Sequence, residues 1–218
     1  MSIKVKLNDG SLREVEENSS VLDLANLISR NLGKNAIVGE VNNTLVDLSN
    51  KLKDNDEVNI LTTDNEKAVE VLRHSISHIM AQAVKRLYKD AKLAIGPSIE
   101  NGFYYDFDIE KPLTTEDLEK IEQEMNNIIN ENLKFERMDV LREEALKLME
   151  EKNEPYKVEL INDLPEGEKI SLYKQGDYVD LCRGPHIPST KYVKAFKLTS
   201  VAGAYWRGNE KNKMLQRV

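Results

Sequence analysis

The chain has 218 residues, 40% of them hydrophobic and 32% charged, with a formal net charge of −7. That is enough chain for one large domain or two smaller ones, and too acidic for a protein that holds nucleic acid mainly by overall basicity. A single cysteine, Cys182, excludes an internal disulfide framework. The opening "MSIKVKLNDG" is no signal peptide, and no stretch approaches the roughly 18 apolar residues of a membrane span. A cytoplasmic location is expected.

The first sixty residues read as a unit of their own. "SIKVKLNDGSLREVEENS" predicts two alternating strands around the turn Asn8-Asp9-Gly10. A helix follows in "SVLDLANLISRNLG", with Ser20 as its cap and Gly33 closing it. Short strands are expected in "AIVGEVNN", "TLVDL" and "EVNILTT". A hairpin, a helix and further short strands make a small α+β roll. The order resembles the ubiquitin-like β-grasp of a TGS domain; a passive folding or docking module fits the same order.

"TDNEKAVE" marks a boundary, with Asp64 placed to cap the next helix. Apolar residues at three- and four-residue steps predict that helix from Lys67 to Tyr88. "AKLAIGPSIENGFYYDFDIEKPLT" is strand and turn material. A second helix begins at Thr114 or Thr115 with acidic residues in its first turn, and a third, "DVLREEALKLMEEK", is capped by Asp139. "PYKVELI" reads as a strand opened by Lys157. Another strand, in "KISLYKQGDYVDLCRGPHIPST", runs into a Gly- and Pro-rich loop, and "AFKLTSVAGAYWRG" closes the chain as a hairpin. The expected architecture is α+β throughout: a β-grasp domain over 1–63 and a larger α+β domain over 64–218, with a sheet packed against a long helix.

The chain's three histidines and one cysteine fall into two pairs of equal spacing, His74 with His78 and Cys182 with His186. On the helix the two histidines project together, roughly 140–180° from the apolar stripe, so they face either solvent or a second layer of protein. Three imidazoles and a thiolate are good zinc ligands. The same groups suit metal-free hydrolysis, in which an imidazole or amine positions and deprotonates a water near neutral pH. A Cys/His protease fits less well, because no helix start presents the thiol. Asp180 lies two positions before Cys182 and shares its side of an extended run. Tyr104 and Asp106 alternate with Phe103, Tyr105 and Phe107, which face the other way.

"VLRHSISHIMAQAVKRLY", "IGPSIENGFYYDFD", "DLCRGPHIPST" and "AGAYWRGNEKNKMLQRV" together resemble the N-terminal half of bacterial threonyl-tRNA synthetases, a TGS domain followed by an editing domain. Ile76 and Ser77 stand where the family usually has Thr and Ala. The class II aminoacylation core and the anticodon-binding domain have no counterpart in these residues, so ATP use and the zinc of the synthetic site would belong to the parent enzyme and this chain to an excised fragment.

The resemblance implies hydrolysis of seryl-tRNA mischarged on the threonine tRNA. His74 would meet the terminal ribose or water, Lys157 would orient the water, and Cys182 and His186 would shape the catalytic wall. Tyr104 and Asp180 would read the seryl hydroxyl or ammonium, and His78 would buttress His74 and line the adenosine end of the substrate. No cofactor is required in this reading, which leans metal-free, although His74, His78, Cys182 and His186 permit zinc. Replacing Lys157 by Ala is expected to leave the fold intact. RNA contact is expected along Lys85, Arg86, Lys89 and a late basic stretch that includes Lys191, Lys194, Lys197, Arg207, Lys211 and Lys213. The fragment is expected to be a monomer and its parent a homodimer. Two alternatives stay open: a free-standing or metal-dependent alanyl-type editor, against which the TGS-like unit argues, and a non-catalytic zinc-stabilised tRNA-binding module.

Overall fold

The computed structural model describes all residues, Met1–Val218, in two compact units. One comprises Met1–Leu72 with Gly184–Pro188, the other Arg73–Arg183 with Ser189–Val218. No helix is long and apolar enough to cross a membrane.

In the first unit, β1 (Ser2–Leu7) and β2 (Leu12–Glu16) form the expected hairpin. Strands β3 (Val38–Val41), β4 (Thr44–Val46) and β5 (Glu57–Leu61) complete a sheet of order β2-β1-β5-β3-β4, in which β1 and β5 run parallel. This is the β-grasp arrangement. Its sheet encloses Val5, Val15 and Val58 against Val21, Leu24 and Ala25 of helix α1 (Val21–Ile28). Ser20 and Asp23 cap α1 reciprocally: the Ser20 hydroxyl accepts from the Asp23 N–H, and the Asp23 carboxylate accepts from the Ser20 N–H at 2.7 Å. The helix does not run on to Gly33. Ser29 is extended and its hydroxyl caps a second short helix, α2 (Arg30–Asn35), which contains Gly33. A Cβ at Gly33 would lie 2.0 Å from the Asn26 side chain, so the glycine serves close approach, not termination.

Helix α3 (Glu66–Leu87) starts one residue earlier than the periodicity predicts. The Asn65 side chain, not Asp64, caps it, accepting from the Lys67 N–H at 3.0 Å. Every residue from Ser75 to Val84 is buried, so His78 faces a second layer of protein and not solvent.

The second unit adds β6 (Lys92–Leu93), the small hairpin β7 (Ser98–Ile99) with β8 (Gly102–Phe103), and β9 (Asp106–Asp108). Helix α4 (Thr115–Glu131) is capped by Thr114 in a reciprocal box with Asp117. Then come β10 (Phe135–Val140), α5 (Arg142–Glu151), α6 (Pro155–Asp163), β11 (Ile170–Gln175) and β12 (Tyr178–Leu181), followed by β13 (Ala202–Tyr205) and β14 (Met214–Arg217). Antiparallel strands form two sheets, of order β10-β11-β12 and β13-β14-β9-β6. The Gln82 amide reaches the Gln175 main-chain carbonyl at 3.1 Å and accepts from the Gln175 side chain at 2.6 Å, fastening α3 to β11.

Three expectations change here. "PYKVELI" is helix, not strand: Pro155 stands at a first-turn position, where its missing N–H is harmless, and Tyr156, Lys157 and Ile161 turn inward. Asp139 lies within β10 and caps nothing; the Glu144 carboxylate accepts from the Leu141 N–H at 3.1 Å instead. The last hairpin pairs 202–205 with 214–217, leaving Ala195–Ser200 without regular structure.

Candidate active site

Four elements of the second unit build the site. Helix α3 supplies His74 and His78 one turn apart, their rings edge to face with centroids 4.9 Å apart. Beyond β12, the Cys182 N–H donates to the Ser171 carbonyl, and the Ser171 hydroxyl donates back to the Cys182 carbonyl at 2.6 Å. This exchange with β11 fixes the thiol. The side-chain donor atoms of His74, His78 and Cys182 lie within 4.8 Å of one another, with His74 Nε2 at 3.0 Å from Sγ.

The hydrogen bonds set the tautomers. His74 Nδ1 is 3.1 Å from the Gly96 carbonyl, which can only accept, so Nδ1 carries the proton and Nε2 presents a lone pair toward Sγ. The Ser77 hydroxyl also reaches the Gly96 carbonyl, at 2.7 Å. His78 Nδ1 lies 3.3 Å from Asp180 Oδ2, an arrangement that likewise leaves Nε2 for another partner. Burial lowers the pKa of both imidazoles. For His74 the Gly96 carbonyl and the Asp180 charge partly oppose it; His78, fully buried, falls well below 6.5, pushed further by His74 and Lys157. Both rings are neutral at pH 7.

Behind them lies a buried charge pair. Asp180 Oδ1 is 2.7 Å from Lys157 Nζ, on α6, while Oδ2 accepts from the Tyr105 hydroxyl at 2.7 Å and the Tyr178 hydroxyl at 3.0 Å. Lys157 also donates to the Tyr105 oxygen at 2.8 Å, so these two contacts engage two of its three N–H groups. Burial first, then the Asp180 charge, pushes both phenols well above 10, so they remain donors. Gly96 is needed against this group: a Cβ there would sit 2.1 Å from the Tyr105 ring.

Of the residues expected from sequence, His74, His78, Lys157, Cys182 and Asp180 come together. Tyr104 does not join their hydrogen bonds; its ring lies under the Arg217 guanidinium, 3.7 Å from centroid to carbon, and Arg217 in turn holds Asp106. His186 lies in the Gly184–Pro188 segment, its side chain buried and its N–H donating to Asp47 Oδ1 at 2.8 Å. Sequence reasoning missed Tyr105 and Tyr178. The alternation at "YVD" carried the second of these, since Tyr178 and Asp180 share a strand face.

The basic residues expected to meet RNA are largely neutralised. Lys85 pairs with Glu154, Arg86 with Glu124 and Glu131, Lys197 with Glu122, Arg207 with Glu159, and Lys213 with Asp108. Lys89, Lys191, Lys194 and Lys211 carry no such pair.

Residues 3–62 match the TGS domain family, and residues 170–218 match the family described as the threonyl and alanyl tRNA synthetase second additional domain. The chain is 65% identical over 216 residues to a threonine–tRNA ligase of Acetivibrio thermocellus, and 58% identical over 216 residues to those of Clostridium tetani and Clostridioides difficile. Each match covers 99% of this chain and 34% of the relative, so the chain spans about a third of the ligases it resembles.

Proposed function

We propose that this chain, which belongs with the region of threonine–tRNA ligases that carries the TGS and second additional domains, hydrolyses the ester of seryl-tRNA mischarged on the threonine tRNA and spares threonyl-tRNA. The need is energetic. Serine lacks one methyl group of threonine, and a synthetic pocket loses only about 1–3 kcal/mol for it, a discrimination of roughly 10–200-fold. A second site that hydrolyses the smaller product supplies the rest.

One observation carries the reading: two imidazoles and a thiol stand before a buried lysine held by a carboxylate. Ester hydrolysis needs a positioned water and a cation or hydrogen-bond donor near the developing oxyanion. His74, through Nε2, meets the terminal ribose hydroxyl or the water. Lys157 directs its remaining N–H at the water. Cys182 forms the wall beside His74, and His186, only four residues further along the chain, stays within about 14 Å of it by chain length alone. The Asp180 carboxylate already faces Lys157, Tyr105, Tyr178 and His78, so its part is to hold them, and contact with the seryl group falls to Tyr104. His78 buttresses His74.

His74, His78 and Cys182 also fit zinc by donor type, each imidazole having the outer partner typical of a metal-bound histidine. Bound there, zinc would supply Lewis acidity to a coordinated water. The same donor set supports a second reading, a structural zinc clamp in a non-catalytic tRNA-binding module. Around the site we assign 1–63 to the TGS domain and 64–218 to the editing domain. The partners are the threonine tRNA and, in the whole enzyme, a class II core and an anticodon-binding domain; the location is the cytoplasm. This chain is a monomer in that reading and the whole enzyme a homodimer.

The test is deacylation of seryl- and threonyl-tRNA by this chain, with and without chelator. Serine-selective release is expected, and its persistence in chelator assigns the chemistry to the side chains. No release from either ester, with one zinc bound per chain, would overturn the reading in favour of the clamp.

A further inference from the structure

We infer that Tyr178 is a positioning residue for this site: its hydroxyl fixes the Asp180 carboxylate, and its ring closes the buried charge pair off from a neighbouring cavity. The inference rests on the proposed hydrolysis for its kinetic part only.

Three observations support it. First, Tyr178 and Asp180 are two apart on β12, and the phenol lies 3.0 Å from Oδ2. A carboxylate only accepts, so the phenol donates. Second, Oδ2 is the oxygen that also faces His78 Nδ1, at 3.3 Å. Tyr178 shares this oxygen with the Tyr105 hydroxyl, at 2.7 Å, and the two donors together fix the direction in which Oδ2 meets His78 Nδ1. Third, Tyr178 lines a cavity of about 360 Å³ together with Gln82, Lys85, Glu154 and Asp177, whereas Asp180 is not among its walls. Tyr178 is thus at once a cavity wall and a partner of the ion pair. Water admitted from that side would screen the attraction between Lys157 and Asp180 and loosen both.

None of these contacts touches the reacting atoms, so Tyr178 acts through Asp180 on Lys157 and His78. Removing only the hydroxyl separates this role from packing, because Phe keeps the ring and the seal. Tyr178→Phe should keep the wild-type unfolding midpoint within a few degrees. It should lower kcat for hydrolysis of seryl-tRNA about tenfold, with KM unchanged. The His78 ring nitrogens, followed by ¹⁵N NMR on the free protein, should move away from a fixed Nδ1–H form. Tyr178→Leu, which also opens the seal, should lower kcat further. Wild-type kcat in Tyr178→Phe with unchanged His78 signals would overturn the inference, as would a parallel loss in kcat, KM and midpoint. If the wild-type chain releases neither ester, the proposed hydrolysis fails, and the His78 signals alone decide the role of Tyr178.

Discussion

Lys157 Nζ lies 2.7 Å from Asp180 Oδ1, and the two side chains are only 4% and 1% exposed. The sequence offered Lys157 as a residue whose loss would leave the fold intact; the pair changes that expectation. Lys157→Ala leaves a buried carboxylate without its counter-charge, which costs about 3–5 kcal/mol. Lys157→Met should destabilise similarly, since it fills space without charge. Removing both charges in Lys157→Met with Asp180→Leu should recover only part of the loss, because the buried Tyr105 and Tyr178 hydroxyls lose their acceptor. Urea midpoints measure this, and a single variant as stable as wild type would show that the pair is not held as described. Activity of Lys157 variants must accordingly be compared under conditions where each is folded.

The two histidines make stability depend on pH in one direction. Both have folded pKa values below the ordinary 6.5, mainly through burial. The unfolded chain therefore binds more protons as pH falls. The stability that goes with neutral histidines is fully present above about pH 6.5 and is lost as pH drops toward the depressed folded values. Each proton taken up on unfolding gives a slope of about 1.4 kcal/mol per pH unit. Unfolding between pH 7.5 and pH 5 should show a falling midpoint with uptake of up to two protons, and replacing His78 by Gln should flatten the slope. A midpoint constant across this interval would contradict the burial argument.

Much of the fold was legible because local signals and burial agreed. Ser20 and Thr114 announced caps that form as read, and the Asn8-Asp9-Gly10 turn sits between paired strands. Misreadings came where a local pattern competed with tertiary demand. "PYKVELI" alternates like a strand, yet Pro155 starts a helix whose Lys157 is drawn inward by Asp180. In the site, residues with unusual chemistry were visible from composition: one cysteine and three histidines stand out in any reading. Tyr105 was not, because an alternating strand assigned it to the apolar face. It does face inward, stacked on Phe107 with centroids 5.0 Å apart, but its hydroxyl ends on a carboxylate that only the fold brings near.

Gly96 sets how closely that tyrosine can pack. Its neighbour at 2.1 Å from a hypothetical Cβ is the Tyr105 Cδ2, and the ring is braced from behind by Phe107. Gly96→Ala must therefore displace either the ring or the carbonyl that holds His74. Overpacking of this kind costs about 1–3 kcal/mol. The variant should show a lowered urea midpoint and, on the proposed function, slower hydrolysis of seryl-tRNA, both effects arising from one displaced contact. Wild-type values for both would mean that the loop yields without disturbing the site.

Tyr104 and Tyr105 are adjacent but should respond differently to loss of their hydroxyls. The Tyr105 oxygen accepts from Lys157 at 2.8 Å and donates to Asp180 at 2.7 Å, all three side chains being buried. Tyr105→Phe removes both bonds and leaves a lysine donor unpaired, a loss of about 1.5–3 kcal/mol for hydrogen bonds to charged groups. Tyr104 is half-buried and engaged through its ring by Arg217, a contact that Phe preserves. Tyr104→Phe should therefore leave stability within about 0.5 kcal/mol of wild type. If the Tyr104 hydroxyl meets the seryl group, the same variant raises KM for seryl-tRNA while Tyr105→Phe chiefly lowers kcat. The pair is measured by unfolding and by steady-state deacylation side by side. The reverse pattern, with Tyr104→Phe the less stable of the two, would place the buried network on the other tyrosine and contradict the assignment made here.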